Sequence, residues 1–434
     1  MKNTSIALAV LLILIVGFIS ITSAAIVFPK YVVKRPNNVK LYDEKEFEVS
    51  LKLLLIYNGT QRAPVGVLIP LFVNNFWSTA EIESVKPVMG SLTFTGVTYY
   101  DFNIYLPASR SYAEVPSSMR DTYGFSHHAL ALGLGSQAPR EETIIIVKMR
   151  ISAYRVDGSS LILSPGGTIR EAREELGEDY VIYTRPTYYW DYNTTIVQRV
   201  LEEIKQGLIS RYGKPLDSLR VYDVVRELLN WLSYNTYYMD RFDYPYSRLK
   251  ASQILNTTIE IEGKKKYYGV CRHMVDLFVT LARGLGIPAN RYEGMIFGYS
   301  GDKLILLGFH AWAEIYLPRI GWVPVEATIT SPYERDIIDI GDLEVVYYVP
   351  YSHEYNAYKP PEIPSVLISV LAANVTLIGR GVGVSEIIPS VVYVPGIGRL
   401  PIKDFIIITV VLLLIADNIY IHRKLMRYRK LEEE

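Results

Sequence analysis

The chain has 434 residues, half of them apolar, and its 45 basic side chains are balanced by 45 acidic ones. That length is sufficient for two or three domains with a sizeable core. Because the net charge is near zero and no basic cluster lies in the middle of the chain, a nucleic acid partner is not expected. The single cysteine excludes an intramolecular disulfide.

Both ends of the chain predict membrane segments. The uncharged run from Ile6 to Phe28 is long enough to span a bilayer, but Lys2 and the small residues TSAA equally suit a secretory signal. Residues 1–29 are therefore interpreted as a signal peptide or an N-terminal membrane anchor. Residues 405–421 form a second apolar run, predicted to be a transmembrane helix, and the basic tail 422–434 follows it.

The positive charges at the two ends agree on one topology. Lys2 and the basic tail are both expected on the cytoplasmic side. The sequence therefore predicts a cell-membrane protein whose main domains lie outside the cytoplasm and whose C-terminal tail lies inside.

Residues 30–167 have the alternation of β-strands. In FEVSLKLLLIYNG, Phe47, Val49 and Leu51 fall on one face and polar residues on the other. TIIIVKMRISAYRVDG repeats the pattern, and Asp157-Gly158 is a typical hairpin turn. This part is predicted to be an antiparallel β-sandwich.

Helical periodicity begins near residue 168. One apolar stripe runs from Ile196 to Leu208 after the capping pair Asn193-Thr194, and a second runs from Val221 to Leu232 with Asp217 or Ser218 as its cap. A third helix starts at or near Cys271 and ends before Pro288, and strands follow it. Residues 168–334 are predicted to form one domain, and 335–404 a β-rich stalk or module that leads to the membrane.

Cys271 is the strongest candidate for a reactive residue. A helix N-terminus favours the thiolate through its free N–H groups and dipole. Gly269 permits a tight turn into the helix, and the backbone N–H of Cys271 is available to a developing oxyanion. The alternative for a lone cysteine is a small buried apolar residue.

A cysteine nucleophile needs a base, usually histidine. His273 is rejected, because residues two apart point to nearly opposite sides of a helix, and it is expected on the helix surface. His310 in HAWAEIYL is the better candidate. It shares one strand face with Trp312 and Glu314.

Hairpin geometry supplies the carboxylate. If Tyr316 pairs with Trp322 across a five-residue loop, Glu326 lies diagonally opposite His310 on the same face, within reach of a glutamate. Glu314 is the second choice, because neighbours two apart on one strand diverge.

Three blocks, in order, resemble the core of the transglutaminase-like superfamily: YGVCRHMVDLFVTLARGLGIPAN, HAWAEIYL and GWVPVEAT. The resemblance covers about 190–330. By position, the family's nucleophile, base and orienting acid fall on Cys271, His310 and Glu326. The chain departs from the family pattern where Glu326 replaces the usual aspartate, Ala327 the following proline, and Asn290 an arginine, with Arg291 one residue later.

The resemblance implies an α+β fold, in which a papain-like core of helices packs on an antiparallel sheet. It also implies acyl transfer on amide bonds of a protein or peptide substrate without a metal or organic cofactor. Resolution of the thioester by water makes a peptidase or amidase, which is favoured here, and resolution by an amine makes a cross-linking transglutaminase. The alternative is an inactive surface binding or scaffold protein, against which the intact Cys271 and His310 argue. A Cys/His metal site is not supported, since no spacing supplies three or four ligands.

Overall fold

The computed structural model describes residues 35–98, 103–106, 111–114, 128–239, 248–328, 340, 346–354, 366–380, 391–394 and 398–401. Within these residues no helix combines the length and apolar character needed to cross a membrane. Both predicted terminal membrane segments lie outside the described residues, so they stay predictions.

Eight strands precede the helices in the described part of the chain. They are β1 (Lys40–Tyr57), β2 (Ala63–Phe72), β3 (Ser78–Met89), β4 (Phe94–Thr98), β5 (Asn103–Leu106), β6 (Ser111–Glu114), β7 (His128–Gln137) and β8 (Glu142–Asp157). Together with the later strand β16 (Val366–Arg380), they form two antiparallel sheets. The first sheet has the order β16–β1–β8–β3 and the second β2–β7–β4–β5–β6.

The two sheets bury one shared apolar cluster. Alternate residues of β1, including Phe47 and Val49, are fully buried, and Val49 pairs with the buried Met149 of β8. Val65 of β2 and Leu130 of β7 belong to the same cluster. The predicted alternation in β1 and β8 is therefore confirmed, and its apolar face is what the two sheets enclose.

The hairpin turn expected at Asp157-Gly158 is wrong. β8 is followed by a 3-10 turn at Ser159–Ile162 instead of a returning strand. The Asp157 carboxylate accepts a hydrogen bond of 2.9 Å from the Ser159 N–H, which starts that turn. An aspartate before glycine folds onto the backbone two residues on in either case, so the local signal does not distinguish the two turns.

Six helices follow among the described residues. They are α1 (Ile169–Leu176), α2 (Asp179–Thr184), α3 (Thr195–Tyr212), α4 (Val221–Asn235), α5 (Ala251–Ile254) and α6 (Cys271–Gly284). Helices α3, α4 and α6 match the predicted stripes. The cap predicted for α4 is wrong: Asp217 and Ser218 lie in a separate 3-10 turn, and Arg220 occupies the N-cap. The ion pair of Arg220 with Asp223 takes the place of a side-chain cap.

The remaining strands form three further sheets in the described residues. The strands are β9 (Thr236–Tyr238), β10 (Thr258–Ile261), β11 (Lys264–Gly269), β12 (Ala289–Ser300), β13 (Lys303–Leu317), β14 (Gly321–Val325), β15 (Tyr347–Glu354), β17 (Val391–Val394) and β18 (Gly398–Pro401). The three sheets are β9 to β11, β12 to β15, and the pair β17 and β18. An antiparallel sheet has the order β14–β13–β12–β15. Val275 and Phe278 of α6 share a buried cluster with Ala311 and Ala313 of β13. The described fold is thus α+β, with helices on an antiparallel sheet.

Strands of the segment 335–404 pair with strands from earlier parts of the chain. Strand β15 pairs with β12, and strand β16 pairs with β1 in the first sheet. The long strand β12 also contacts the first sheet through its second half. Phe297 of β12 is fully buried, and its ring lies 4.9 Å from that of Phe47. The sheets therefore cross the boundary predicted at residue 334, and the division into domains stays a prediction.

Candidate active site

Cys271 is the first residue of α6, and its side chain is half-buried. The predicted start of the helix is confirmed. The surface position expected for His273 is wrong, because that residue is fully buried. Its Nδ1 accepts a hydrogen bond of 3.2 Å from the Val270 N–H, so the ring turns back over the helix start and satisfies one of the free amides there.

Glycine is required at residue 269 for a different reason from the one predicted. A Cβ on this residue would lie 2.7 Å from the Cβ of His273, closer than any ordinary contact. The glycine is therefore required by the close approach of the His273 side chain. This contact fixes how β11 leads into the helix that carries Cys271.

Two groups of β13 meet the Cys271 thiol. The imidazole of His310 is hydrogen bonded to it, and the backbone N–H of Ala311 donates to the sulfur. The last residue of β14 pairs with Ala313, so the amide of Ala311 lies beyond the end of that strand. Because β14 ends before it reaches Ala311, the edge of β13 at that residue is open to the N-terminus of α6.

His310 and Glu326 are joined by a hydrogen bond of 2.8 Å between Nε2 and Oε2. The predicted register is confirmed, since Tyr316 pairs with Trp322. Glu326 directly follows β14, and its other oxygen accepts the N–H of Thr328 at 2.8 Å as well as that residue's hydroxyl. Because Nε2 is engaged by the carboxylate, Nδ1 is the ring nitrogen left for the thiol.

A tyrosine that the sequence did not single out also contacts Glu326. The hydroxyl of Tyr348, on β15, donates to Oε2 at 3.0 Å. The chain has 35 tyrosines, so composition hides this one, and its strand lies after the blocks that carry the resemblance. No local signal marks it.

Glu314, the second-choice orienter, is not bonded to His310. Its carboxylate accepts hydrogen bonds from Asn290 Nδ2 at 3.3 Å and from the Tyr292 hydroxyl at 3.2 Å, and it lies 3.0 Å from His353 Nε2. Asn290, which stands where the family has arginine, therefore donates a hydrogen bond to the buried Glu314 carboxylate. Glu326 is left as the carboxylate partner of His310.

The three site residues perturb one another. Burial raises the pKa of the Cys271 thiol, but the charge and hydrogen bond of His310 outweigh it, and the pKa lies below its ordinary value. Burial opposes charge on His310 too, yet Glu326 and Cys271 raise its pKa to about 10. The pKa of Glu326 is lowered against burial by His310 and Thr328. The arrangement therefore shifts the Cys271 thiol towards the thiolate, with a charged His310 imidazolium beside it.

Aromatic rings cover one side of the imidazole. The fully buried Trp312 stacks on His310 with a centroid distance of 6.5 Å, and Tyr292 stacks on Trp312 at 5.6 Å. The side chains of His310 and Glu326 are only 14% and 13% exposed, so their hydrogen bond lies in a partly buried site, where it is stronger than in water.

An ionic cluster lies under the site. Asp276 of α6 is fully buried and pairs with Arg248 at 2.7 Å, while Glu354 pairs with Arg248 at 2.7 Å and with Arg291 at 3.2 Å. Trp190 Nε1 also donates to Asp276 at 2.8 Å. The cluster joins the cysteine helix to β12 and β15. Arg291, one residue after the family's arginine position, is part of it.

Comparison with known families identifies the region that holds these residues. Residues 210–327 match the family model of the transglutaminase-like superfamily. Cys271, His310 and Glu326 all lie within the match. The chain therefore contains a transglutaminase-like domain, and the predicted resemblance is confirmed.

Three solved bacterial proteins are among those to which this chain is similar at low identity. A candidate cysteine protease from Cytophaga hutchinsonii is 14% identical with a TM-score of 0.43, over 78% of this chain and 90% of that one. The periplasmic domain of TgpA from Pseudomonas aeruginosa is 14% identical with a TM-score of 0.28, over 68% of this chain and 93% of that one. A candidate protease from Parabacteroides distasonis is 9% identical with a TM-score of 0.22, over 66% of this chain and 44% of that one. No curated protein matches the sequence significantly.

Proposed function

We propose that the protein catalyses thiol-dependent acyl transfer on amide bonds of a protein or peptide substrate, with Cys271 as nucleophile, His310 as base and Glu326 as orienting acid. One observation carries the proposal: the thiol at a helix N-terminus, the imidazole and the carboxylate form a continuous hydrogen-bonded line. Such a line is the arrangement that an activated nucleophile needs.

In this mechanism the Cys271 thiolate attacks the carbonyl carbon of the amide. The backbone N–H of Cys271 stabilises the oxyanion of the tetrahedral intermediate. Collapse of the intermediate breaks the C–N bond, and protonated His310 gives its proton to the leaving amine. The thioester that remains is resolved when His310 takes a proton from the incoming nucleophile, which releases the thiolate. Glu326 holds the imidazole and stabilises its charged form throughout.

Water is the nucleophile that we propose for the second step, which makes the protein a peptidase or amidase. When a small primary amine is added at millimolar concentration to compete with water, the carboxylic acid should still be the main product. Predominant formation of the new amide would identify a cross-linking transglutaminase instead.

The single cysteine allows a direct test of activation, because every labelling signal reports Cys271. At mildly acidic pH, iodoacetamide should label the wild type about tenfold faster or more than His310→Ala, which loses the charge that favours the thiolate. Cys271→Ser should give no labelling.

His353→Ala is the matched control, since it removes a histidine from the Glu314 pair on a neighbouring strand. It should label at the wild-type rate. Equal rates in wild type and His310→Ala at every pH would show an unactivated thiol and would favour an inactive scaffold.

We also propose the topology that the termini predict, with residues 30–404 outside the cytoplasm and the tail 422–434 inside. Protease added to intact cells should digest a protein tagged at its C-terminus down to a small tagged fragment. Protection of the whole chain would overturn this topology.

A further inference from the structure

We infer that Tyr348 is a positioning residue for the Glu326 carboxylate, and that β15, outside the region matched by the family model, completes the site. The inference rests on the proposed function, because it concerns how the orienting acid is held. Tyr348 acts through Glu326, whose carboxylate it contacts directly.

Both carboxylate oxygens of Glu326 are occupied. Oε2 accepts the Tyr348 hydroxyl at 3.0 Å and faces His310 Nε2 at 2.8 Å. Oε1 accepts both hydrogen bonds of Thr328. The carboxylate plane is therefore fixed by donors on two sides, and the oxygen that orients the imidazole is the one that Tyr348 holds.

The need for this contact follows from the residue type. A glutamate has one more rotatable bond than the aspartate usual at this position, so its carboxylate loses more freedom when it is held in one place. The side chain of Glu326 is only 13% exposed, so each missing donor leaves part of a negative charge unsatisfied. Tyr348 supplies that donor and limits the carboxylate to the arrangement that meets His310.

Tyr348 is itself held from a distant part of the chain. Trp77, which is fully buried between β2 and β3, donates its Nε1–H to the Tyr348 carbonyl at 2.9 Å. Its ring packs edge-on against Tyr292 at 5.7 Å. The Tyr348 ring meets Trp312 at 5.0 Å and His310 at 6.0 Å. The segment between β2 and β3 thus anchors the strand that supplies the hydroxyl.

Loss of the hydroxyl has a defined direction. Without this donor, the Glu326 carboxylate is less fixed, so its charge is held less often in the position that stabilises the His310 imidazolium. The Cys271 thiolate then loses part of its counter-charge and forms only at higher pH. In Tyr348→Phe, the acid limb of the labelling-against-pH curve should therefore move upward, and labelling at mildly acidic pH should fall about tenfold.

Tyr347→Phe is the matched control. The neighbouring tyrosine of the same strand also donates to a carboxylate, that of Asp43, at 2.6 Å, away from Glu326. This variant should keep the wild-type curve. Equal shifts in both variants would show a general effect on β15 and would overturn the positioning role.

A double-variant cycle tests the route through Glu326. In a Glu326→Gln background the carboxylate is absent, so adding Tyr348→Phe should leave the labelling curve where Glu326→Gln alone puts it. A further upward shift of the full single-variant size would contradict the inference. Trp77→Phe, which removes the donor to the Tyr348 carbonyl, should shift the curve in the same direction and serves if Tyr348→Phe fails to fold.

The two proposals fail separately. If His310→Ala labels like the wild type, the thiol is not activated and the proposed function is wrong. If His310→Ala labels slowly while a folded Tyr348→Phe keeps the wild-type curve, the function stands and only the role of Tyr348 is wrong.

Discussion

At the scale of single residues, the site depends on charges that burial opposes and neighbours stabilise. His310 shows the balance most clearly, because Glu326 and Cys271 overcome its burial and raise its pKa to about 10. Its charged form therefore persists through neutral pH and is lost as pH rises through that value. The same ion pair lowers the pKa of the Cys271 thiol.

The ratio of labelling rates between wild type and His310→Ala should accordingly depend on pH. It should be large at mildly acidic and neutral pH and approach one as pH rises through about 10, where His310 deprotonates and the ordinary thiol is ionised as well. Stopped-flow labelling across this range measures the ratio. A ratio that already falls to one near the ordinary pKa of histidine would contradict the pairing of His310 with Glu326.

Asp276 illustrates the cost of removing one partner from a buried cluster. Asp276→Asn should lower the free energy of unfolding by about 1–3 kcal/mol, because the buried acceptor of Arg248 and Trp190 loses its charge, although Glu354 still pairs with Arg248. Burial raises the pKa of Asp276, but Arg248 and Arg291 outweigh it and lower that pKa. The stability that Asp276 contributes is therefore fully present above the ordinary pKa of aspartate, and it is lost as pH falls through the lowered pKa of the folded state.

Denaturant unfolding measures this difference. Asp217→Asn is the control, since Asp217 pairs with Arg170 at an exposed site and its loss should change stability little. Similar losses in the two variants would show that the buried cluster has no special role.

At the scale of elements, the start of α6 depends on a contact between a strand end and a helix side chain. Gly269 and His273 approach so closely that any side chain at residue 269 must displace the ring. That ring bonds the Val270 amide next to Cys271, so the position of the nucleophile and the packing of the helix start are coupled.

Gly269→Ala should therefore lower stability by about 1–3 kcal/mol and also slow the labelling of Cys271, because the helix start must shift to admit the methyl group. Thermal unfolding and labelling measure the two effects. Gly207→Ala, inside α3 with open space around the new methyl, should instead stabilise by about 0.5–1 kcal/mol and leave labelling unchanged. Unchanged labelling in Gly269→Ala would separate the helix start from thiol activation.

At the scale of the whole molecule, the later strands tie the parts together. β15 closes the sheet of the transglutaminase-like domain, and β16 closes the first N-terminal sheet. Met295 and Phe297, in the second half of β12, are buried in the cluster of the N-terminal sheets. The domain that carries the site therefore depends on the sheets that precede it.

A fragment of residues 168–334 should for this reason expose apolar surface and lack Tyr348. It should aggregate or unfold without cooperativity and should lose fast labelling, whereas residues 35–380 should retain both properties. Calorimetry and labelling of the two fragments test this. A short fragment that unfolds cooperatively and labels at the wild-type rate would show that the site stands alone.

The sequence by itself determined the features that arise from neighbouring residues. Alternation in β1, the apolar stripe of α6 and its start at Cys271 are local patterns. The meeting of His310 with Glu326 was also predictable, because a short hairpin sets the register and a period of two sets the face. The division of the chain into domains and the membrane topology stay predictions from such patterns.

Only the tertiary structure decided what covers those faces. Tyr348 reaches Glu326 because β15 returns to β12, and Trp77 holds Tyr348 from the other end of the chain. Burial of His273 likewise results from its approach to Gly269. Periodicity shows that a face is apolar, but strand pairing between distant segments depends on shape and hydrogen bonding that appear only when the chain has packed.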